Sequence, residues 1–89
     1  MSDEKETLLT FPCRFPVKMM GKDEPEFHEA ALQLIEAHAG RVSPEDIRSA
    51  PSRNGNFVSV TITIDASSQE QLDKIYRDAS ENERIMVAL

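Results

Sequence analysis

His28, His38 and Cys13 are the side chains in this 89-residue chain best equipped for metal or nucleophilic chemistry. Both histidines fall in one helical stretch, about 80° apart around the axis and about 15 Å apart along it. That is too far to share an ion. Glu24 and His28, at i and i+4, are better placed, but two ligands do not make a site when a closed tetrahedral zinc centre takes about four. The expectation is an exposed His28, a His38 that serves the negative end of its helix, and neither a metal nor any other cofactor. Cys13 would need a base and an electropositive setting to act as a nucleophile. Arg14 adjoins it, but no nearby motif supplies the base. Asp3, Glu4, Asp23, Glu24 and Glu26 are tail or helix-start charges, whereas a general acid needs a buried, perturbed carboxyl group. Gly21-Lys22-Asp23 lacks the glycine-rich pattern of a phosphate loop, and the carboxylates beside it would repel an anion. No catalytic residue is assigned, and the chain reads as a non-enzyme.

A second constellation lies at the polar positions of the strands. Arg14 and Lys18 come from the first strand and Arg48 from the second. Ser59, Thr61 and Thr63 come from the third, with Phe57 at its end; Arg84 would join from the fourth. These basic residues gather on one sheet face of a chain whose net charge is −6, from 16 acidic and 10 basic residues. RNA-recognition domains use such a face but stack bases on several aromatic side chains, and here only Phe57 is available. The acidic balance also argues against nucleic acid and anionic membranes. The expected binding set is Arg14, Lys18, Arg48, Phe57, Ser59 and Thr61, used by a protein partner or a second copy of the chain. The bland alternative is a solvated polar sheet face.

The elements that would position these residues follow from periodicity. Val58, Val60, Ile62 and Ile64 alternate with Ser59, Thr61, Thr63 and Asp65, which gives a strand with one buried and one polar face. Asn54-Gly55 before it predicts a two-residue type I′ hairpin turn. The partner strand is residues 46–53, with Pro51 opposite Val58, Ser49 opposite Val60 and Ile47 opposite Ile62. Its proline makes it an edge strand. Phe15, Val17 and Met19 alternate with Arg14, Pro16, Lys18 and Met20 in a first strand that Gly21 ends. Pro16 is a mild objection to full pairing there.

Asp23 to Ala39 is the first helix, with Asp23 as cap and Pro25 in the first turn. Ser67 to Ser80 is the second, opened by a Ser67-x-x-Glu70 capping box. Ile85 to Leu89 form a short last strand. The order is β-α-β-β-α-β. Elements with one apolar face each close as two layers. The predicted fold is therefore α+β: a ferredoxin-like two-layer sandwich, with a four-stranded antiparallel sheet, two helices on one face, and strands one and three central.

Size allows one domain, residues 8–89, behind a disordered charged arm at 1–7. A single cysteine excludes an internal disulfide and fits a cytoplasmic, reducing setting. No apolar run reaches the roughly 20 residues of a membrane span.

Leu8-Leu9-x-Phe11-Pro12, then Phe15, Lys18, Met20-Gly21, then Ser52-x-x-Gly55-Asn56-Phe57-x-Ser59-Val60-Thr61, and the Met86-Val87-x-Leu89 ending resemble the YbeD-like family of small, poorly characterised bacterial proteins. The resemblance spans residues 8–89. It implies a ferredoxin-like fold similar to ACT regulatory domains, a non-enzymatic regulatory or interaction role, and an association with lipoate metabolism. The alternative it implies is an ACT-type sensor of an amino acid or other metabolite. ACT domains carry an Asp-x-Pro-Gly loop, where this chain has Gly21-Lys22-Asp23-Glu24-Pro25. The family's tyrosine is Phe57 here. No catalytic residue carries over.

Overall fold

The computed structural model describes residues 10–89; the expected arm at 1–7, and Leu8 and Leu9, lie outside the described residues. The elements run β1 (Cys13–Lys22), α1 (Pro25–Ala39), a 3₁₀ turn (Pro44–Asp46), β2 (Ile47–Pro51), β3 (Phe57–Ala66), α2 (Gln69–Ser80) and β4 (Val87–Ala88). The sheet order is β2-β3-β1-β4 and every pairing is antiparallel, so β1 and β3 are central. This is the α+β, ferredoxin-like βαββαβ arrangement that the periodicities predict.

One face of the sheet carries Val17, Met19, Val58, Val60, Ile62 and Ile64, all buried. Phe27, Ala31 and Ile35 of α1 and Leu72, Ile75 and Ala79 of α2 close over it. The opposite face has no covering layer among the described residues.

The β2–β3 register pairs Ile47 with Ile62, Ser49 with Val60 and Pro51 with Val58, as predicted. The turn itself differs. Gly55 takes φ 77°, but among the described residues no non-glycine residue has positive φ, so Asn54 does not adopt the type I′ geometry. Gly55 N–H donates to the Ser52 carbonyl (3.0 Å), and Ser52 N–H donates to the Phe57 carbonyl (2.7 Å). Residues 53–56 thus form a four-residue loop on an ordinary turn. Widening the loop by one residue on each side leaves the strand register unchanged.

Two further starts move by a residue or two. α1 begins at Pro25 behind Glu24, without a side-chain cap, and Asp23 turns to His28 instead. α2 is capped by Ser68, whose hydroxyl accepts the Gln71 N–H (3.1 Å). Gln71 answers with its side-chain carbonyl, which accepts the Ser67 N–H (2.8 Å).

Both prolines of the sheet sit where their missing N–H costs no ladder bond. Lys18 exchanges both backbone hydrogen bonds with Leu89, so even-numbered residues of β1 turn their backbone toward β4. Pro16 faces that side too, beyond the end of β4. On β2, Ser52 turns its N–H to β3, so Pro51 faces the open edge.

Candidate functional site

Strand alternation assigns each polar side chain a place on the open face. Along β1 these are Arg14, Pro16, Lys18, Met20 and Lys22, opposite Asp65, Thr63, Thr61, Ser59 and Phe57 of β3. Arg48 lies beyond Thr61 and Ala50 beyond Ser59 on β2. Val87 flanks Met20 from β4, and Leu89 flanks Lys18 through their exchanged hydrogen bonds. The six expected residues therefore share one face. They do not form one cluster.

Arg14 stands apart. Its guanidinium binds Asp46 at 2.6 Å and Asp65 at 2.9 Å, which ties the turn before β2 to β3 and β1. The Asp65 hydrogen bond leads, with both carboxylate charges, in pushing its pKa above the usual arginine value. Arg14 is thus a clamp at one end of the sheet, with its charge compensated. Arg48–Thr61–Lys18 forms a row across three strands, and Ser59 and Phe57 lie higher up the same face. Among the described residues, neither Lys18 nor Arg48 has an ion-pair partner within 4.0 Å. Arg84 does not join them. It precedes β4 and approaches Glu24 at 3.8 Å, near the start of α1.

The face is also more apolar than its polar alternation suggests. Among the described residues the exposed large hydrophobics are Met20, Phe57, Met86, Val87 and Leu89, and all but Met86 are on this face. Alternation already places Met20 there, but ending β1 at Gly21 hides Lys22. Ile85 to Leu89 are apolar throughout, so no alternation reveals which of them point outward.

The histidines are structural partners of carboxylates. His28 Nε2 meets Asp23 at 3.0 Å, and not Glu24, the carboxylate one helical turn away. His38 Nε2 meets Asp78 of α2 at 2.6 Å, a link between helices beyond any service to its own helix end. Cys13 is half-buried against the core. Among the described residues no three His, Cys, Asp or Glu side chains gather as a metal-binding group, and no helix is long and apolar enough to cross a membrane. A small hollow at the β1–α1 junction is lined by Lys22, Glu24, Phe27, Glu83, Arg84 and Met86.

Comparison with known proteins supports the fold and places the chain in a family. Over its full length it is 39% identical to the whole of a UPF0250 protein of Paraburkholderia phytofirmans. It is 42% identical to a UPF0250 protein of Chromobacterium violaceum, over 85% of each chain. The solution structure of protein HP0495 from H. pylori covers 100% of this chain with 93% of its own, at a TM-score of 0.67 and 18% identity, a likeness of fold. Residues 6–89 match the model of a protein family of unknown function, DUF493. The chain belongs to that family, the YbeD-like proteins its motifs resemble.

Proposed function

We propose that this protein is a non-catalytic docking module that binds a partner protein through its open sheet face. The observation that carries this reading is the coincidence of Met20, Phe57, Val87 and Leu89 with Lys18, Lys22 and Arg48 on the sheet face that no layer of the described residues covers, in an otherwise acidic chain. Apolar side chains supply affinity when water is removed from them. Cations on such a face steer an acidic partner and fix its orientation. The link to lipoate metabolism rests on the resemblance alone, and the geometry of the face adds nothing to it.

The test compares three immobilised baits in bacterial lysate: wild type, Lys18→Glu with Arg48→Glu, and Lys74→Glu with Arg77→Glu on α2. Exposed substitutions usually shift stability by less than about 0.5 kcal/mol each, so all three should fold. A partner held by the wild type and the α2 variant but lost by the sheet variant supports the reading. A partner lost only by the α2 variant moves the working surface to the helices.

A second reading, the ACT-type sensor, draws on the hollow at the β1–α1 junction. Lys22 and Arg84 beside Glu24 and Glu83 present both signs of charge, which suits a zwitterion. An amino acid that binds only the folded state raises the melting temperature in proportion to ln(1 + [L]/Kd). A panel of amino acids that leaves the melting temperature unmoved counts against it.

A further inference from the structure

The layout of the open face specifies the shape of its occupant. Phe57 on β3, Met20 on β1 and Leu89 on β4 step down the sheet by two residues per strand, with Val87 beside Met20. They form one diagonal apolar stripe. Two strand spacings of about 4.8 Å and four residues of about 3.3 Å give it a length of about 16 Å. That is about three turns of α-helix. Lys22 borders the stripe on one side, and Lys18 and Arg48 border it on the other.

Three carboxylates around the sheet have partners within the chain. Asp65 binds Arg14, Asp23 binds His28 and Glu24 approaches Arg84. A second copy of the chain would lay this cationic border against itself. Strand addition meets a proline on each side: Pro51 faces the open edge of β2, and Pro16 faces the stretch of β1 that β4 leaves unpaired.

Resting on the docking reading above, we infer that the occupant is an amphipathic helix of a partner protein. It is about three turns long, with one apolar stripe bordered on both sides by Asp or Glu. Such a helix sets its apolar residues at i, i+3, i+4 and i+7 over Met20, Val87 and Leu89, as in other helix-in-groove complexes. Its flanking carboxylates meet Lys22 on one side and Lys18 and Arg48 on the other.

The probe is a capped 14-residue synthetic peptide with leucines at those spacings and glutamates on both flanks. Its controls are the same peptide with a central proline and a version with lysines for the glutamates. Each is titrated into the isotopically labelled full chain and followed by amide NMR shifts, with peptide helicity followed by circular dichroism. The expected result is shifts confined to residues of the open face, Phe57, Met20, Leu89, Lys18 and Lys22 among them, a gain in peptide helicity, and affinity at least 10-fold weaker (about 1.4 kcal/mol) for either control. Lys18→Glu with Lys22→Glu should weaken the glutamate peptide by a similar factor while the melting curve of the chain stays in place.

If the proline peptide binds the same face equally well, the helix is wrong and the docking reading stands. If shifts fall on α1 and α2 instead, both fail. Absence of binding by the glutamate peptide overturns the helix. So does a peptide-resistant dimer of the free chain that buries Met20 and Val87, which would make the occupant a second copy.

Discussion

Gly21 and Phe27 approach so closely that no side chain fits between them. A Cβ built on Gly21 would lie 2.4 Å from Phe27 Cδ1 and 2.7 Å from the Arg84 carbonyl oxygen. Phe27 is the buried anchor of the first turns of α1, and Arg84 precedes β4. Both elements close on β1 at this one residue. The glycine is required by space here and not by a left-handed backbone. Gly21→Ala is expected to destabilise by about 1–3 kcal/mol, the usual cost of forcing a methyl group into a packed core. Urea denaturation midpoints measure it. Phe27→Leu added to Gly21→Ala should recover little, because the Arg84 carbonyl still blocks the site. A wild-type midpoint for Gly21→Ala would show that β1 and α1 separate freely.

The start of α2 offers a one-residue discrimination. Ser68 caps Gln71, while Ser67 donates its backbone N–H to the Gln71 side-chain carbonyl at 2.8 Å and its hydroxyl to the same oxygen at a longer 3.3 Å. Ser68→Ala should therefore cost about 1 kcal/mol, as lost N-caps do. Ser67→Ala should cost much less, since the N–H remains. Thermal unfolding of the two single variants decides between them, and the reverse ranking would return the cap to Ser67.

Ile62 and Thr61 test the phase of the central strand. Ile62 is 1% exposed between β2 and β1, and Thr61 is half-buried on the open face. Ile62→Ala should cost about 2–5 kcal/mol as a buried large-to-small truncation. Thr61→Ala should cost well under half as much. Equal losses in denaturant midpoint would mean that the register is off by one residue.

What the sequence revealed follows the strength of local patterning. β3 was legible because its apolar and polar residues alternate without a break, and Asn54-Gly55 centred the hairpin correctly even though the loop is twice the expected length. The α2 cap was ambiguous because Ser67 and Ser68 each have a Glu or Gln three residues on. The open face was legible where alternation ran through Arg14, Lys18, Arg48 and Thr61. It was hidden where chemistry depends on distant chain segments. Arg14 is compensated by Asp46 from a 3₁₀ turn that no periodicity announces. Val87 and Leu89 lie in a uniformly apolar run whose phase only pairing with Met20 and Lys18 sets.

The last prediction concerns the β2 edge. Backbone groups of Ser49 and Pro51 turn away from β3, so the open edge offers the Ser49 N–H but none from Pro51. An unpaired row of donors and acceptors is a template for another strand, and proline at such a position interrupts it. Pro51→Thr restores the donor and adds a residue that favours strands. It should leave the β2–β3 ladder intact, because that ladder never used the N–H of residue 51. The variant is expected to self-associate more than wild type as concentration rises, in sedimentation experiments. Ala50→Thr is the control: it makes the same type of change one residue away, where the backbone already serves β3. If the two variants sediment alike, Pro51 does not guard the edge, and the case for face-on docking loses its argument against strand addition.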